Sequence, residues 1–304
     1  MKYTPLEILQ LQNINIYLKR EDFNDTGSQK DRYIRYSIPK YVEDGNNKFV
    51  ISSTGNASIS ALNYCISNNL YLTIFLSPKT HISKLERLFQ NTDIKYTNEI
   101  EIDKEIDIND RIKLVYTNKP VSGAIQYANE HQYQLLRGST DKYGYQGYMN
   151  IAYELIEQMK DINIENILVP CSSGSTALGI YNGFKEAKEN GIITNIPRIH
   201  VLQTTSINTI SRMYDKDYEP TNTSIAQAIS DKVSHRYKEL HQMIKDSNGF
   251  GWIISDKEIQ QAQDILHKNN IYTSNESAMC IATILKAKRN NQILNNSICI
   301  FTGK

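Results

Sequence analysis

The chain has 304 residues with 40% hydrophobic and 22% charged side chains, a composition that excludes disorder and is long enough for about two domains. Lys+Arg number 34 against 33 Asp+Glu, so a net charge of +1 offers no electrostatic footprint for nucleic acid or an anionic membrane. No run reaches the roughly 18 apolar residues of a membrane span, and the N-terminal residues carry no signal-like apolar core, so the expectation is a cytoplasmic protein. The four cysteines and six histidines show no CxxC, HxxxH or HxH spacing, which predicts reduced thiols and no metal site.

In chain order, strand and helix patterns alternate. Phe49–Ser52 is a short apolar strand, followed by a helix over 57–68. Leu70–Leu76 is a second strand, 81–90 a helix and Ile94–Tyr96 a weak strand, while 97–112 is acidic and ambiguous. A helix covers 121–131. From Gln146 onward Tyr148, Ile151, Ala152, Leu155, Ile156 and Met159 fall on one face of a helix. Ile167–Pro170 is a continuous apolar strand with a helix after it to about 189, and Arg198–Gln203 is another strand. Residues 204–250 give no clear pattern. Ser255 and Glu258 form a capping box that opens a helix, 275–288 is helical, and Ser297–Phe301 is a last buried strand. Alternation of this kind predicts an α/β fold with mostly parallel sheets, and directs attention to the residues that follow each strand.

Four such segments carry chemistry. The polar stretch Lys19–Arg32 contains Gly27-Ser28 and then Lys30 at a helix start; a lysine amine is a group that can attack a carbonyl. Ser53-Thr54-Gly55-Asn56-Ala57 follows a strand and offers hydroxyls and backbone N–H groups at a helix start, a setting that binds a carboxylate. Ser172-Ser173-Gly174-Ser175-Thr176 follows the 167–170 strand and opens a helix, a setting for a phosphate. Gly174 and Gly179 have the spacing of a nucleotide-triphosphate loop, but Ile180 stands where that loop needs lysine, and no GxSxG elbow is present. Finally, Thr302 ends the last strand. Taken singly, each segment also reads as a solvated lysine or an ordinary turn.

Together, in this order, they resemble the fold-type II pyridoxal-phosphate enzymes, and most nearly the threonine synthase branch. Lys19–Arg32 matches the family pattern K-R-E-D-x-N-x-T-G-S-F-K-D-R at nearly every fixed position. Ser53–Asn56 matches S-T/S-G-N, and Gly147–Glu154 resembles G-x-x-T-x-A-x-E. The resemblance covers essentially the whole chain. It implies two domains, each a mostly parallel sheet flanked by helices: a larger one of residues 1–40 and 140–304, and a smaller, mobile one of 41–139 carrying the Asn56 loop. It implies pyridoxal 5′-phosphate as cofactor, a Schiff base through Lys30, and Asn56 at the phenolic oxygen. Ser172, Ser173, Gly174, Ser175 and Thr176 are implied at the phosphate, and Thr302 at the pyridine nitrogen. Ser53, Thr54 and the Ala57 amide are implied at the substrate carboxylate. A threonine at that nitrogen suits elimination and replacement better than transamination.

The implied reaction is elimination or replacement at the β or γ carbon of an amino acid, best fitted by O-phosphohomoserine going to threonine and phosphate. Arg137, Arg32 and Lys142 are candidate cations for the leaving phosphate. Alternatives are β-replacement or β-elimination on serine or an O-activated serine, and a non-catalytic paralogue, against which the retained Lys30 argues. Dehydratases usually have His-Ala-Gln after the asparagine, where this chain has Ala57-Ser58-Ile59. Gln29 replaces the usual phenylalanine before the lysine, Asn150 replaces a threonine, and serines stand where the phosphate loop usually has glycines. The implied partners are a small amino-acid substrate and a second copy in a homodimer, with no nucleic acid and no membrane.

Overall fold

The computed structural model describes residues 3–11, 14–90, 92, 101–160 and 162–304. It divides into two compact units, Met1–Gln29 with Tyr148–Lys304, and Lys30–Gly147. The chain begins in the first unit with β1 (Leu6–Leu11) and β2 (Ile14–Arg20). It builds the second from α1 (Lys30–Glu43), β3 (Lys48–Ser52), α2 (Asn56–Ser67), β4 (Tyr71–Leu76), α3 (Ile82–Phe89), β5 (Glu105–Asp107), β6 (Ile112–Tyr116), α4 (Pro120–His131) and β7 (Gln134–Leu135). It then returns through α5 (Gln146–Gln158), β8 (Asn166–Pro170), α6 (Ser175–Glu189), β9 (Arg198–Thr204), α7 (Tyr237–Asp246), β10 (Gly251–Ile254), α8 (Asp256–Lys268), α9 (Asn275–Arg289) and β11 (Ser297–Phe301).

The first unit is built on a sheet of order β1-β2-β11-β8-β9-β10, in which only the β1–β2 pair is antiparallel. Strands β8, β10 and β11 are buried along their whole length, as helices on both faces of a parallel sheet require. The register pairs Phe301 with Arg20 and Cys299 with Leu168, so β2, β11 and β8 end side by side. The second unit has the order β5-β6-β4-β3-β7, parallel except for β5 against β6.

The division lies at Gln29/Lys30 and Gly147/Tyr148, which gives the whole of α1 to the smaller unit, whereas the sequence-based bounds were 41 and 139. Side-chain anchoring explains this. Tyr33 and Tyr41, one face of α1, donate to Asp141 Oδ2 and Oδ1 at 2.6 and 2.7 Å, and Gly147 packs on the α1 backbone. A Cβ at Gly147 would lie 2.2 Å from the Arg32 carbonyl oxygen, so this position admits glycine alone.

The apolar stripe read from Tyr148 onward is the buried face of α5, except that Ile156 is only half-buried and Met159, also buried, follows the last residue of the helix. The capping box at Ser255 and Glu258 is present at the start of α8. The 204–250 stretch holds α7 and leads into β10, neither of which was read from sequence. The β1–β2 hairpin was not read either. The weak strand at 94–96 lies outside the described residues, and the ambiguous 97–112 region contributes β5. All four cysteines are buried and free; burial pushes the Cys65 and Cys171 thiols up to about 12, which leaves them inert.

His200 on β9 shows how polar groups are accommodated in this core. Trp252 Nε1 donates to its Nδ1 at 3.3 Å, and Nε2 pairs with Asn166 Oδ1 at 3.1 Å, so the buried ring is neutral with its proton on Nε2. Burial lowers its pKa to about 3. The unfolded chain therefore binds this proton below about pH 6.5 while the native state does not. Stability should fall as pH drops from about 6.5 towards 3, by up to about 1.4 kcal/mol per pH unit from this group. His200→Gln should flatten that part of a urea-unfolding pH profile; an unchanged slope would contradict the assignment.

Candidate functional site

Lys19–Asp22 is a buried framework, followed by an exposed Phe23 and a half-buried Asn24. Lys19 Nζ donates to Glu154 Oε2 at 2.6 Å, to the Thr4 carbonyl at 3.0 Å and to Gln158 Oε1 at 2.9 Å. Arg20 binds Asp22 through Nε and Nη2 at 2.9 and 2.8 Å, and Glu7 through Nη1. Thr4 and Asn24 donate to the two oxygens of Glu21 at 2.7 and 2.8 Å. These residues at the end of β2 thus fix the start of the loop that leads to Lys30. Glu154, the acidic end of the G-x-x-T-x-A-x-E pattern, is the counter-ion of Lys19.

The loop then joins the chain's last strand. Gly27 takes a left-handed φ of +82°, Ser28 bridges Gly303, and the Gln29 N–H donates to the Thr302 carbonyl at 3.0 Å. The Gly303 carbonyl also accepts from Thr273 Oγ1, Ser274 N and Ser277 Oγ, which holds residue 302 in place. Lys30 follows Gln29 directly and is the first residue of α1. The Thr302 side chain is buried, and its hydroxyl makes no hydrogen bond among the described residues.

Next to this, at the end of β8, Ser172–Thr176 forms the start of α6. Gly174 is the N-cap residue, with φ of +86° and no side-chain cap, so the amide end of a 15-residue helix is left open. Ser173 and Ser175 hydroxyls lie 3.3 Å apart at this end, and Thr176 is buried behind them. The Ser172 hydroxyl is committed within the chain. It donates to Asp231 Oδ2 at 2.7 Å and accepts from the N–H groups of Ser230 and Asp231, tying the loop to the 230–231 segment. A Cβ on Gly174 would lie 2.4 Å from Leu240 Cδ1, and the positive φ adds strain, so on the phosphate role that the sequence resemblance implies for this loop, Gly174→Ala should weaken phosphate binding at least tenfold. Equilibrium dialysis with pyridoxal phosphate measures this, and unchanged affinity would contradict the role of the loop.

In the second unit, Ser53–Ala57 follows β3. The Gly55 N–H donates to Ser53 Oγ at 3.1 Å, and α2 begins at Asn56 with no side-chain cap. The N–H groups of Asn56 and Ala57 are therefore at an open helix end, whereas α8 and α9 are closed by Ser255 and Ser274. Asn56 Oδ1 accepts from Arg87 Nη2 at 2.7 Å. Among the cations considered for a leaving phosphate, Lys142 is 58% exposed and paired with Asp44 at 3.0 Å, Arg32 is buried on α1, and Arg137 is half-buried.

Sequence reasoning missed Asp231, Leu240 and Arg87. Each meets its partner across 31 or more residues, and no local spacing signals such a contact.

The residues present fit pyridoxal phosphate. The donor set has an amine at Lys30, an open helix end flanked by serine hydroxyls for a phosphate, and an uncommitted hydroxyl at Thr302 for a ring nitrogen. Gln29 Oε1, on the residue before Lys30, is buried and makes no hydrogen bond among the described residues, an acceptor that a bound polar group would complete.

Comparison with known proteins agrees. The family model described as "Pyridoxal-phosphate dependent enzyme" matches residues 1–303. Threonine synthase of Methanocaldococcus jannaschii is 27% identical over 298 residues, covering 95% of this chain and 69% of that protein. Threonine synthase of Halalkalibacterium halodurans is 26% identical over 311 residues, covering 98% and 80%. The crystal structure of a fungal L-serine ammonia-lyase from Rhizomucor miehei superimposes with a TM-score of 0.74 at 18% identity, covering 99% of this chain and 93% of that one. With a family match over nearly its whole length, on residues that suit the cofactor, this chain belongs to the pyridoxal-phosphate dependent enzymes.

Proposed function

We propose that this enzyme eliminates or replaces a substituent at the β or γ carbon of an amino acid, with O-phosphohomoserine going to threonine and phosphate as the preferred reaction. The observation that supports the class of reaction is Thr302, a buried side chain just after β11; in the role at the ring nitrogen that the resemblance implies, its neutral hydroxyl suits elimination and replacement, whereas a carboxylate would favour transamination. The threonine synthase relatives, aligned over 95% or more of the chain, support the substrate.

When bound, pyridoxal phosphate supplies the electron sink for charge that develops at the amino acid's α carbon. The chain's own residues do the rest. Lys30 anchors the cofactor through Nζ and then carries the α proton. The open start of α6, with Ser173, Ser175 and Thr176, holds the phosphate without a lysine. Ser172 holds that loop rigid through Asp231. Thr302 offers a neutral hydrogen-bonding group to the ring nitrogen, and Asn56 a donor to the phenolic oxygen. Ser53, Thr54 and the Ala57 amide take the substrate carboxylate at the open start of α2.

The test is product analysis of the cofactor-loaded enzyme with O-phosphohomoserine, serine and O-acetylserine. Equimolar threonine and phosphate from the first are expected. Keto acid and ammonia from serine, or acetate release from O-acetylserine, without threonine formation would replace γ chemistry by β chemistry.

A further inference from the structure

Asn56 is held from one side by a cation that no sequence motif announces. Arg87 sits in the last turn of α3, and its Nη2 donates to Asn56 Oδ1 at 2.7 Å. A guanidinium has donors only, so the end of the carboxamide that faces it must be the oxygen. The other end, Nδ2, makes no hydrogen bond among the described residues and is the end left for a ligand. Leu85, Leu88 and Phe89 are buried and seat α3, and His81 caps its start, so the guanidinium is delivered from a fixed helix. A charged donor on the carbonyl also polarises the amide and makes its N–H a stronger donor.

We propose that Arg87 is a positioning residue: it locks the Asn56 carboxamide so that Nδ2 is presented to the cofactor's phenolic oxygen, and thereby favours the anionic form of that oxygen. The proposal rests on the reading that Asn56 meets the cofactor there.

The test uses purified protein loaded with pyridoxal phosphate, and reads the visible absorption spectrum across pH together with the cofactor's dissociation constant. Arg87→Leu should shift the spectrum and its pH dependence in the same direction as Asn56→Ala, and weaken cofactor binding about tenfold, the worth of one charge-assisted hydrogen bond. Arg87→Lys, which keeps a charged donor and the fold, should recover most of the wild-type spectrum. A changed spectrum in Asn56→Ala with wild-type spectra in both folded Arg87 variants would overturn the role of Arg87 and leave that of Asn56 standing. An Asn56→Ala spectrum identical to wild type would overturn the reading of Asn56 and, with it, this proposal.

Discussion

Lys30→Ala should reduce turnover by on the order of 10³-fold or more, the loss expected when a residue that both anchors a cofactor and moves a proton is removed. The fold should survive, because Lys30 is the first residue of α1 and the helix is anchored by Tyr33 and Tyr41 on Asp141. The check is a steady-state assay beside a thermal melt. A variant that melts with the wild type but turns over a thousandfold more slowly fits the account. A variant within tenfold of wild type would remove Lys30 from the chemistry. Lys30→Arg, which keeps the charge without a primary amine, should be as inactive as the alanine variant.

The largest effect on stability is expected at Lys19→Met. The Lys19–Glu154 pair is buried on both sides, with side chains 0% and 5% exposed, and at 2.6 Å it is the centre of the Thr4–Gln158 network. Removing the ammonium leaves a carboxylate buried without its counter-charge, a change that costs about 3–5 kcal/mol. Lys19→Met with Glu154→Leu removes both charges and should recover much of that loss, since paired apolar replacements of buried ion pairs are often neutral. Urea midpoints of the two variants measure the difference. If the double variant were no more stable than the single one, the pair would not be the source of the cost.

Much of the fold is legible because its signals are local. Continuous apolar runs such as Ile167–Pro170 and Ser297–Phe301 announce strands buried on both faces, and the stripe from Tyr148 announces α5. The first hairpin is not announced. β1 is an edge strand whose Ile8 is 63% exposed, so apolar residues on it do not mark a buried face. α7 is hidden because only Leu240, Met243 and Ile244 of its ten residues are buried, too few to stand out in a polar stretch. The candidate site divides in the same way. Lys30, the open helix starts at Asn56 and Ser175, and Thr302 follow strands or open helices and can be marked from sequence. The residues that brace them cannot: Asp231 reaches Ser172, Leu240 fills the space behind Gly174, and Arg87 holds Asn56, all across long chain separations. The Lys19-Arg20-Glu21-Asp22 run was legible as a motif, but its physical task was not. In the folded chain Lys19 meets Glu154, Arg20 meets Asp22 and Glu7, and Glu21 accepts from Thr4 and Asn24.

The central claim, that this chain is a pyridoxal-phosphate enzyme anchored through Lys30, is tested most directly by borohydride reduction of the cofactor-loaded protein followed by peptide mass spectrometry. The account predicts one reduced cofactor adduct, on the peptide carrying Lys30, and none in Lys30→Ala. An adduct on another lysine, or none in folded wild-type protein with cofactor in excess, would contradict it.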